Sequence, residues 1–167
     1  MNDAHDSNGP RGLEPATGGA LRWGASQFRQ VPIEASGRLL LHSMPGRDEP
    51  LDTALSWMSL EGVTRVVCLL SDREIAERNP EYLSAIVRQD ARLPRVERFP
   101  VPDPAEAAGS AALAGQLAAA LRAGEVVLIH CALGQVRTPA LARIVLEALG
   151  YTPDEAAQRV SRAVPRG

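Results

Sequence analysis

The chain contains no lysine, so each of its 18 basic residues is an arginine, and 20 acidic residues bring the formal net charge to −2. Any mechanism that needs a lysine amine is therefore excluded. Nothing in the net charge indicates nucleic acid or an anionic membrane as a partner. Only two cysteines are present, Cys68 and Cys131, which argues against a disulfide scaffold and suits a reducing cytosol.

Long apolar runs are also missing. None approaches the ~20 residues of a membrane span, and the N-terminus lacks the basic-then-apolar pattern of a secretory signal. No spacing of cysteine and histidine indicates a metal site. We therefore expect a cytoplasmic protein with no metal, no other cofactor and no membrane contact, and the composition does not indicate an oligomeric state.

The length of 167 residues and the hydrophobic content of 45% are typical of one soluble globular domain. Residues 1–29 are rich in Gly, Pro, Asn and Asp and are predicted to form a flexible tail, which leaves 30–167 as the domain. Apolar, β-branched runs predict strands at 31–33, 39–41, 65–70, 96–99 and 126–129, of which the first two are expected to form a β-hairpin. Helical patterns predict helices at 52–60, 72–78, 81–89, 110–123, 138–149 and 153–164. Three of these helices are expected to be capped, by Asp52, by Ser71 or Asp72, and by Thr152, and Val87 is expected to face inward.

This alternation predicts an α/β fold with a central, mostly parallel sheet of about five strands flanked by helices. A ligand site is then expected where the carboxyl ends of the strands meet. Residues 126–150 contain the best candidate, because an apolar strand is followed by a short loop and a helix with Pro139 in its first turn. The loop amides and the first helical N–H groups would form an anion site, with Cys131 at its floor and Arg137 at its rim.

The loop sequence His130-Cys131-Ala-Leu-Gly134-Gln-Val-Arg137-Thr138 resembles the signature of the cysteine-dependent protein tyrosine phosphatases. That signature is His-Cys, five residues, Arg and then Ser or Thr, and it commonly carries a Gly at the position of Gly134. The resemblance covers roughly residues 31–167. It implies a three-layer phosphatase sandwich in which 30–167 is the catalytic domain, and a phosphorylated protein or peptide as the substrate.

The residue types also fit phosphate-ester cleavage on physical grounds. A thiol at a helix N-terminus and near an arginine is acidified, so Cys131 is predicted to be a nucleophilic thiolate. Arg137 offers a planar, bidentate clamp that a lysine cannot imitate. The equatorial phosphoryl oxygens are expected to bind to the loop amides of Ala132, Leu133, Gly134, Gln135, Val136 and Arg137.

Three neighbouring side chains are given supporting roles. Thr138 is predicted to donate a hydrogen bond to the Cys131 sulfur and so to help that sulfur leave when the phosphocysteine intermediate breaks down. His130 is predicted to brace the loop through its ring rather than to act as a base. Gly134 allows a tight turn with positive φ.

A leaving alkoxide or phenoxide needs a proton from a positionable carboxylic acid. Asp103 fits, because it follows a predicted strand, lies between Pro102 and Pro104 and precedes Cys131 by 28 positions. The resemblance places the general acid of the family on such a loop, upstream by about this interval. The alternatives are that Glu106 is the acid, or that Asp103 is only a turn residue between two prolines.

Within the superfamily the chain looks most like the small dual-specificity group, in particular the cyclin-dependent kinase inhibitor-associated phosphatases. The shared segments are HSMPGR at 42–47, RVVCLLSDREI at 65–75, the Pro-flanked Asp loop and RAVPRG at the C-terminus. Val136 departs from the tyrosine-specific enzymes, which usually have Gly before the Arg. No tyrosine-recognition loop is evident, which favours a shallow pocket, and the absence of lysine in the loop disfavours phosphoinositide substrates.

The sequence therefore predicts a metal-independent phosphatase for phosphotyrosine, with phosphoserine and phosphothreonine also open. One alternative is a phospho-binding module that has lost catalysis, and another is a sulfurtransferase or arsenate reductase. Cys68 is interpreted as a small buried apolar residue, with a resolving thiol for Cys131 as the alternative. Arg47 and Arg73 are interpreted as solvated charges that could border the pocket.

Overall fold

The computed structural model describes residues 25–102 and 109–164. Five strands form one sheet: β1 (Arg29–Val31), β2 (Arg38–His42), β3 (Arg65–Cys68), β4 (Arg95–Arg98) and β5 (Val126–His130). Their order across the sheet is β1-β2-β5-β3-β4. Only the β1–β2 pair is antiparallel among these neighbours. The predicted single-domain α/β fold with a mostly parallel five-stranded sheet is confirmed.

Within the described residues, six helices flank the sheet. They are α1 (Leu51–Glu61), α2 (Asp72–Arg78), α3 (Pro80–Val87), α4 (Ala111–Arg122), α5 (Arg137–Ala148) and α6 (Pro153–Ala163). Two of them begin with a capping box: Ser71 and Thr152 each accept a hydrogen bond from the N–H of a glutamate three residues on, whose carboxylate bonds back to the cap. These caps satisfy helix-end amides that would otherwise have no intrahelical partner.

The sheet separates two apolar layers, because successive side chains of a strand point to opposite faces. One layer contains α4, α5 and α6 and packs on Leu39, Leu41, Val67, Val127 and Ile129. The other contains α1, α2 and α3 and packs on Leu40, Val66, Cys68 and Leu128. The three central strands are therefore buried on both faces, which explains why they read as near-continuous apolar runs.

Several predicted boundaries were wrong. Helix α1 starts at Leu51 after Pro50, so Asp52 lies in the first turn rather than at the N-cap, where its charge still favours the helix dipole. Strand β3 ends at Cys68 instead of residue 70. Val87 was predicted to face inward, but it is 68% exposed at the end of α3.

The predicted hairpin at the N-terminal end exists with a different register. Strand β1 covers 29–31 instead of 31–33, and Val31 pairs with Leu39. It therefore begins one residue before the predicted start of the domain. Phe28 packs edge-to-face on Trp57 and His42 and covers one edge of the core. Residues 1–24 lie outside the described part of the chain, so the flexible tail stays a prediction.

The parallel strands end together at one edge of the sheet. The last residues of β2, β3 and β4 are His42, Cys68 and Arg98. His42 and Cys68 each pair with His130 at the end of β5, and Arg98 pairs with Cys68. The loops that follow these strands therefore meet around the residue after His130, which is Cys131. None of the helices in 25–102 and 109–164 has the length and apolar character that crossing a membrane requires.

Candidate active site

The phosphate loop, defined here as residues 131–137, connects β5 to the first turn of α5. Among the described side chains none caps the N-terminus of α5, where Val136 is the N-cap residue. The first amides of a helix have no intrahelical acceptor, and the helix dipole makes this end favourable for an anion. Gly134 has φ +71°, so the predicted positive-φ turn is confirmed.

The Cys131 sulfur lies at the floor of this loop. Its residue is only 3% exposed, and Sγ accepts a hydrogen bond from the Gly134 N–H at 3.2 Å. Burial raises the pKa of the Cys131 thiol, but hydrogen bonds from Thr138 and Gly134 and the charge of Arg137 outweigh burial, so the pKa is below its ordinary value. The loop therefore favours a thiolate, which is the nucleophilic form of cysteine.

Thr138 is buried in the first turn of α5. Among the described residues, its hydroxyl has no hydrogen-bond partner of ordinary geometry. The same hydroxyl is nevertheless the strongest of the groups that lower the Cys131 pKa. Both observations are consistent with a hydroxyl that lies near the sulfur and rotates its proton toward it when the thiolate forms.

Arg137 is held by two partners from other segments, one in α2 and one in the chain that follows β4. Its Nη1 donates to Glu74 Oε1 at 2.9 Å and to the Val101 carbonyl at 3.2 Å. Among the described residues, no hydrogen bond or ion pair involves the second terminal nitrogen of the guanidinium. Glu74 and Val101 thus fix the plane of the guanidinium at the mouth of the phosphate loop.

Glu74 is a site residue that the sequence reasoning missed. Burial raises its pKa, but hydrogen bonds from the Ser71 N–H and from Arg137 outweigh burial, so the pKa is below its ordinary value. One carboxylate oxygen completes the capping box of α2 with Ser71, and the other binds Arg137. The capping-box pattern gives a signal for the first contact, but no sequence signal indicates the second.

His130 is fully buried beneath the loop. Its Nε2 lies 2.8 Å from the Tyr82 hydroxyl, and its Nδ1 lies 3.2 Å from the Cys131 carbonyl oxygen. Burial lowers the pKa of His130 to about 4. The hydrogen bond with the Cys131 carbonyl raises this pKa, and the charge of His42 lowers it further, but both effects are smaller than that of burial. The ring is therefore neutral at neutral pH and connects the loop to α3, an arrangement that suits the predicted bracing role better than that of a base.

The rim of the loop is exposed and partly apolar. Leu133 is 45% and Val136 57% exposed, and Gln135 is also exposed. Ala132 is buried, and its carbonyl accepts a hydrogen bond from the Met44 N–H at 3.1 Å. The two apolar side chains beside an anion site are available to contact the part of a substrate that carries the phosphate.

A cavity of about 510 Å³ adjoins the phosphate loop on the side of β1 and β2. Its lining includes Leu133, Gly134 and Gln135 of the loop and Arg29, His42, Arg47, Asp48 and Glu49 opposite. Arg47 thus borders this cavity, where it is paired with Asp48. Arg73 instead forms an exposed ion pair with Glu77 on α2.

Asp103 and the alternative acid Glu106 lie outside the described residues, and their role as general acid stays a prediction. The strand before them behaves as expected in part: β4 covers 95–98, one residue earlier than predicted. The chain then continues beside β3, with hydrogen bonds from the Phe99 and Val101 amides to the Cys68 and Leu69 carbonyls. These contacts bring Val101, two residues before Asp103, to Arg137.

Cys68 lies in the other layer of the molecule from Cys131. It packs in the cluster of α2 and α3, whereas Cys131 packs in the cluster of α4, α5 and α6. Burial raises the pKa of the Cys68 thiol to about 11. This placement favours a buried apolar role and disfavours a resolving thiol. Within 25–102 and 109–164, no group of three His, Cys, Asp or Glu residues is arranged to hold a metal ion.

No family model matches the chain, and no curated protein does. Among solved structures, a kinase associated phosphatase with serine in place of its catalytic-site cysteine is 17% identical, with a TM-score of 0.66 and 83% of each chain covered. Human DUSP28 is 26% identical, with a TM-score of 0.56 and 82% of each chain covered. A human tyrosine phosphatase-like serine/threonine/tyrosine-interacting protein is 16% identical, with a TM-score of 0.59, covering 81% of this chain and 83% of that one.

The fold neighbours are thus dual-specificity and protein tyrosine phosphatases. Together with the loop geometry, they support the resemblance to that superfamily. They do not confirm the narrower resemblance to the cyclin-dependent kinase inhibitor-associated group, because the relevant neighbour is only 17% identical and so shares the fold alone.

Proposed function

We propose that this protein is a metal-independent, cytoplasmic protein phosphatase that hydrolyses phosphotyrosine through a phosphocysteine intermediate, with phosphoserine and phosphothreonine as further candidate substrates. The observation that carries the proposal is the Cys131 sulfur. It lies at an uncapped helix N-terminus, accepts the Gly134 amide at 3.2 Å and has a pKa below its ordinary value. The fold of the neighbouring phosphatases supports the same chemistry.

In the first step the Cys131 thiolate attacks phosphorus. A P–S bond forms, the P–O bond to the substrate breaks, and Asp103 gives its proton to the leaving oxygen. The loop amides of 132–137 and the Arg137 guanidinium bind the equatorial oxygens, whose charge persists in the transition state. Glu74 and the Val101 carbonyl hold the guanidinium in position.

In the second step water attacks the phosphocysteine. The Asp103 carboxylate takes a proton from the water, an O–P bond forms, and the P–S bond breaks with its electron pair remaining on sulfur. Thr138 and the Gly134 amide stabilise the departing thiolate. The products are inorganic phosphate and the free alcohol or phenol, and the enzyme returns to its starting state.

Features of the rim bear on the substrate class. Leu133 and Val136 offer apolar contacts to a peptide or an aromatic ring. The loop has no lysine to bind the additional phosphates of a phosphoinositide. We therefore favour a phosphoprotein substrate.

The proposal is tested by measuring phosphate release from an aryl phosphate in excess EDTA. We expect turnover to be unaffected by the chelator and sulfur transfer from thiosulfate to be undetectable. Loss of turnover in EDTA would contradict the metal-independent mechanism. Sulfur transfer without phosphate release would favour the sulfurtransferase alternative.

The acid role of Asp103 has a separate test. Asp103→Asn removes the proton, so we expect the rate to fall about 10²- to 10³-fold for alkyl or unactivated phenyl phosphates, whose leaving groups need protonation. For an activated aryl ester the expected loss is less than about tenfold. The measurement is kcat/KM across leaving groups of graded pKa, with Glu106→Gln as the matched control. An equal loss on all esters would assign the acid elsewhere.

A phospho-binding module is the second candidate. The observation behind this candidate is the fold similarity to a tyrosine phosphatase-like serine/threonine/tyrosine-interacting protein. A chain that binds phosphotyrosine peptide but releases no phosphate from either peptide or aryl ester would support this reading over the hydrolase.

A further inference from the structure

A buried hydrogen-bonded pair outside the catalytic loop, His42–Glu49, joins β2 to the loop that follows it. Glu49 is only 4% exposed. Its Oε2 lies 3.1 Å from His42 Nε2, and its Oε1 accepts a hydrogen bond from the Gly46 N–H at 3.2 Å. Both carboxylate oxygens are thus used, as a buried carboxylate requires. The proposed mechanism gives neither side chain a role.

The His42 ring is held from its other sides as well. It packs edge-to-face on Phe28 at 4.9 Å and on Trp57 at 6.2 Å between ring centroids. Two aromatic contacts and one hydrogen bond to Glu49 therefore hold the ring in place. Because the side-chain torsions of His42 are confined to a few staggered wells, a ring held in place restricts where the His42 backbone can lie.

This backbone lies directly against the phosphate loop. A Cβ atom added to Gly134 would lie 2.6 Å from the His42 carbonyl oxygen and 2.9 Å from the Ser43 nitrogen. The next residue, Met44, donates its N–H to the Ala132 carbonyl at 3.1 Å. The His42 carbonyl and the segment 43–50 that follows it therefore support the phosphate loop at two points, on the side away from Arg137.

We propose that the His42–Glu49 pair is a positioning element: it fixes the His42–Ser43 backbone against Gly134 and thereby holds the Gly134 amide on the Cys131 sulfur. The inference deepens the proposed function, on which it rests for its catalytic consequence. The path is continuous, because the same Gly134 residue touches the His42 backbone and donates to Cys131 Sγ at 3.2 Å.

The sign of the effect separates positioning from simple electrostatics. Removing a negative charge near a thiolate stabilises the thiolate, so a purely Coulombic role of Glu49 predicts a lower Cys131 pKa in Glu49→Gln. A positioning role predicts the opposite: the Gly134 hydrogen bond to the sulfur weakens in Glu49→Gln, and the Cys131 pKa rises. The other charged groups that line the same cavity are Arg29, Arg47 and Asp48, and Glu49→Gln leaves them unchanged.

The test measures the thiolate directly, by the rate of Cys131 alkylation with iodoacetamide from pH 4 to 9, read by mass spectrometry. Glutamine keeps one acceptor oxygen, for the Gly46 N–H, and places an NH2 donor where Glu49 accepts from His42 Nε2, so the contact with His42 is broken unless the imidazole moves its proton to Nδ1. We expect the alkylation rate of Glu49→Gln at pH 6 to fall about threefold to tenfold, as for the weakening of one hydrogen bond to a charged group. An equal or faster rate in the folded variant would overturn the proposal.

Two further variants act as controls. Glu61→Gln removes a carboxylate of a partly exposed ion pair with Arg38 at the opposite edge of the sheet, and it should leave the alkylation profile unchanged. If Glu49→Gln does not fold, His42→Gln and His42→Ala carry the test. Glutamine keeps a donor for Glu49 and should retain the wild-type profile, whereas alanine should show the fall, and equal profiles for the two would overturn the proposal.

The alkylation profile does not depend on turnover. A wild-type protein without phosphatase activity would refute the proposed function and leave the positioning result standing. An active wild type with an unchanged profile in Glu49→Gln would refute only the positioning role.

Discussion

Replacing Cys131 with serine is expected to lower turnover of an aryl phosphate by about 10⁵-fold, the scale on which loss of a catalytic nucleophile acts. A serine hydroxyl is far less acidic than a thiol, and the groups that lower the Cys131 pKa, chiefly Thr138 and Gly134, do not suffice to ionise it. The measurement is steady-state phosphate release at saturating substrate, with kcat as the compared quantity.

Phosphate binding should survive this change. The amides of the loop and the Arg137 guanidinium remain, and serine is slightly smaller than cysteine, so the affinity for inorganic phosphate should stay within a few-fold of wild type by titration calorimetry. Cys68→Ala is the matched control, since Cys68 is buried in the other layer, and it should retain turnover. Residual turnover above about one per cent in Cys131→Ser would sink the phosphocysteine mechanism.

Replacing Arg137 with lysine is expected to lower kcat/KM by about 10³-fold, because a point charge cannot reproduce the planar two-donor contact to phosphoryl oxygens in the transition state. The lysine keeps the positive charge, so the rate of Cys131 alkylation should change little. The loss should therefore appear in turnover and not in thiolate reactivity. Stopped-flow hydrolysis and alkylation on the same preparation give both numbers.

Two companion variants calibrate this result. Glu74→Gln keeps a hydrogen-bond acceptor for Arg137 but loses the charge, so the fall should be smaller, about tenfold. Arg143→Lys makes the same substitution at an exposed position of α5 and should have no effect. Turnover of Arg137→Lys within tenfold of wild type would show that another group binds the transition state.

The fold was predictable because its signals are local. Apolar runs such as 65–68 and 126–130 identify strands buried on both faces, and the capping residues Ser71 and Thr152 mark helix starts. The order of the strands was not predicted, since pairing depends on packing between segments far apart in the chain. The start of β1 was wrong because residues 29–31 carry two exposed polar side chains and only one buried apolar one.

The site divides in the same way. The loop 131–137 is contiguous, so its residue pattern could be read directly. Other side chains reach the site from three distant segments of the chain: Glu74, Tyr82 and the pair His42–Glu49. Tyr82 precedes His130 by 48 positions, and His42 precedes Cys131 by 89. Each is an ordinary helix-cap, core or loop residue in its own segment, and only tertiary packing brings it to the loop.

His130 and Cys131 are neighbours in sequence but belong to opposite layers of the molecule. His130 reaches Tyr82 of α3 in one layer, whereas Cys131 packs with residues of α4, α5 and α6 in the other. During synthesis Gly134, Arg137 and Thr138, the groups that lower the Cys131 pKa, emerge after the sulfur. The nascent chain therefore carries an ordinary thiol, which is protonated and slow to oxidise, until α5 has packed against the sheet. The low pKa of Cys131 is thus a property of the folded protein and is absent while this part of the chain is still being made.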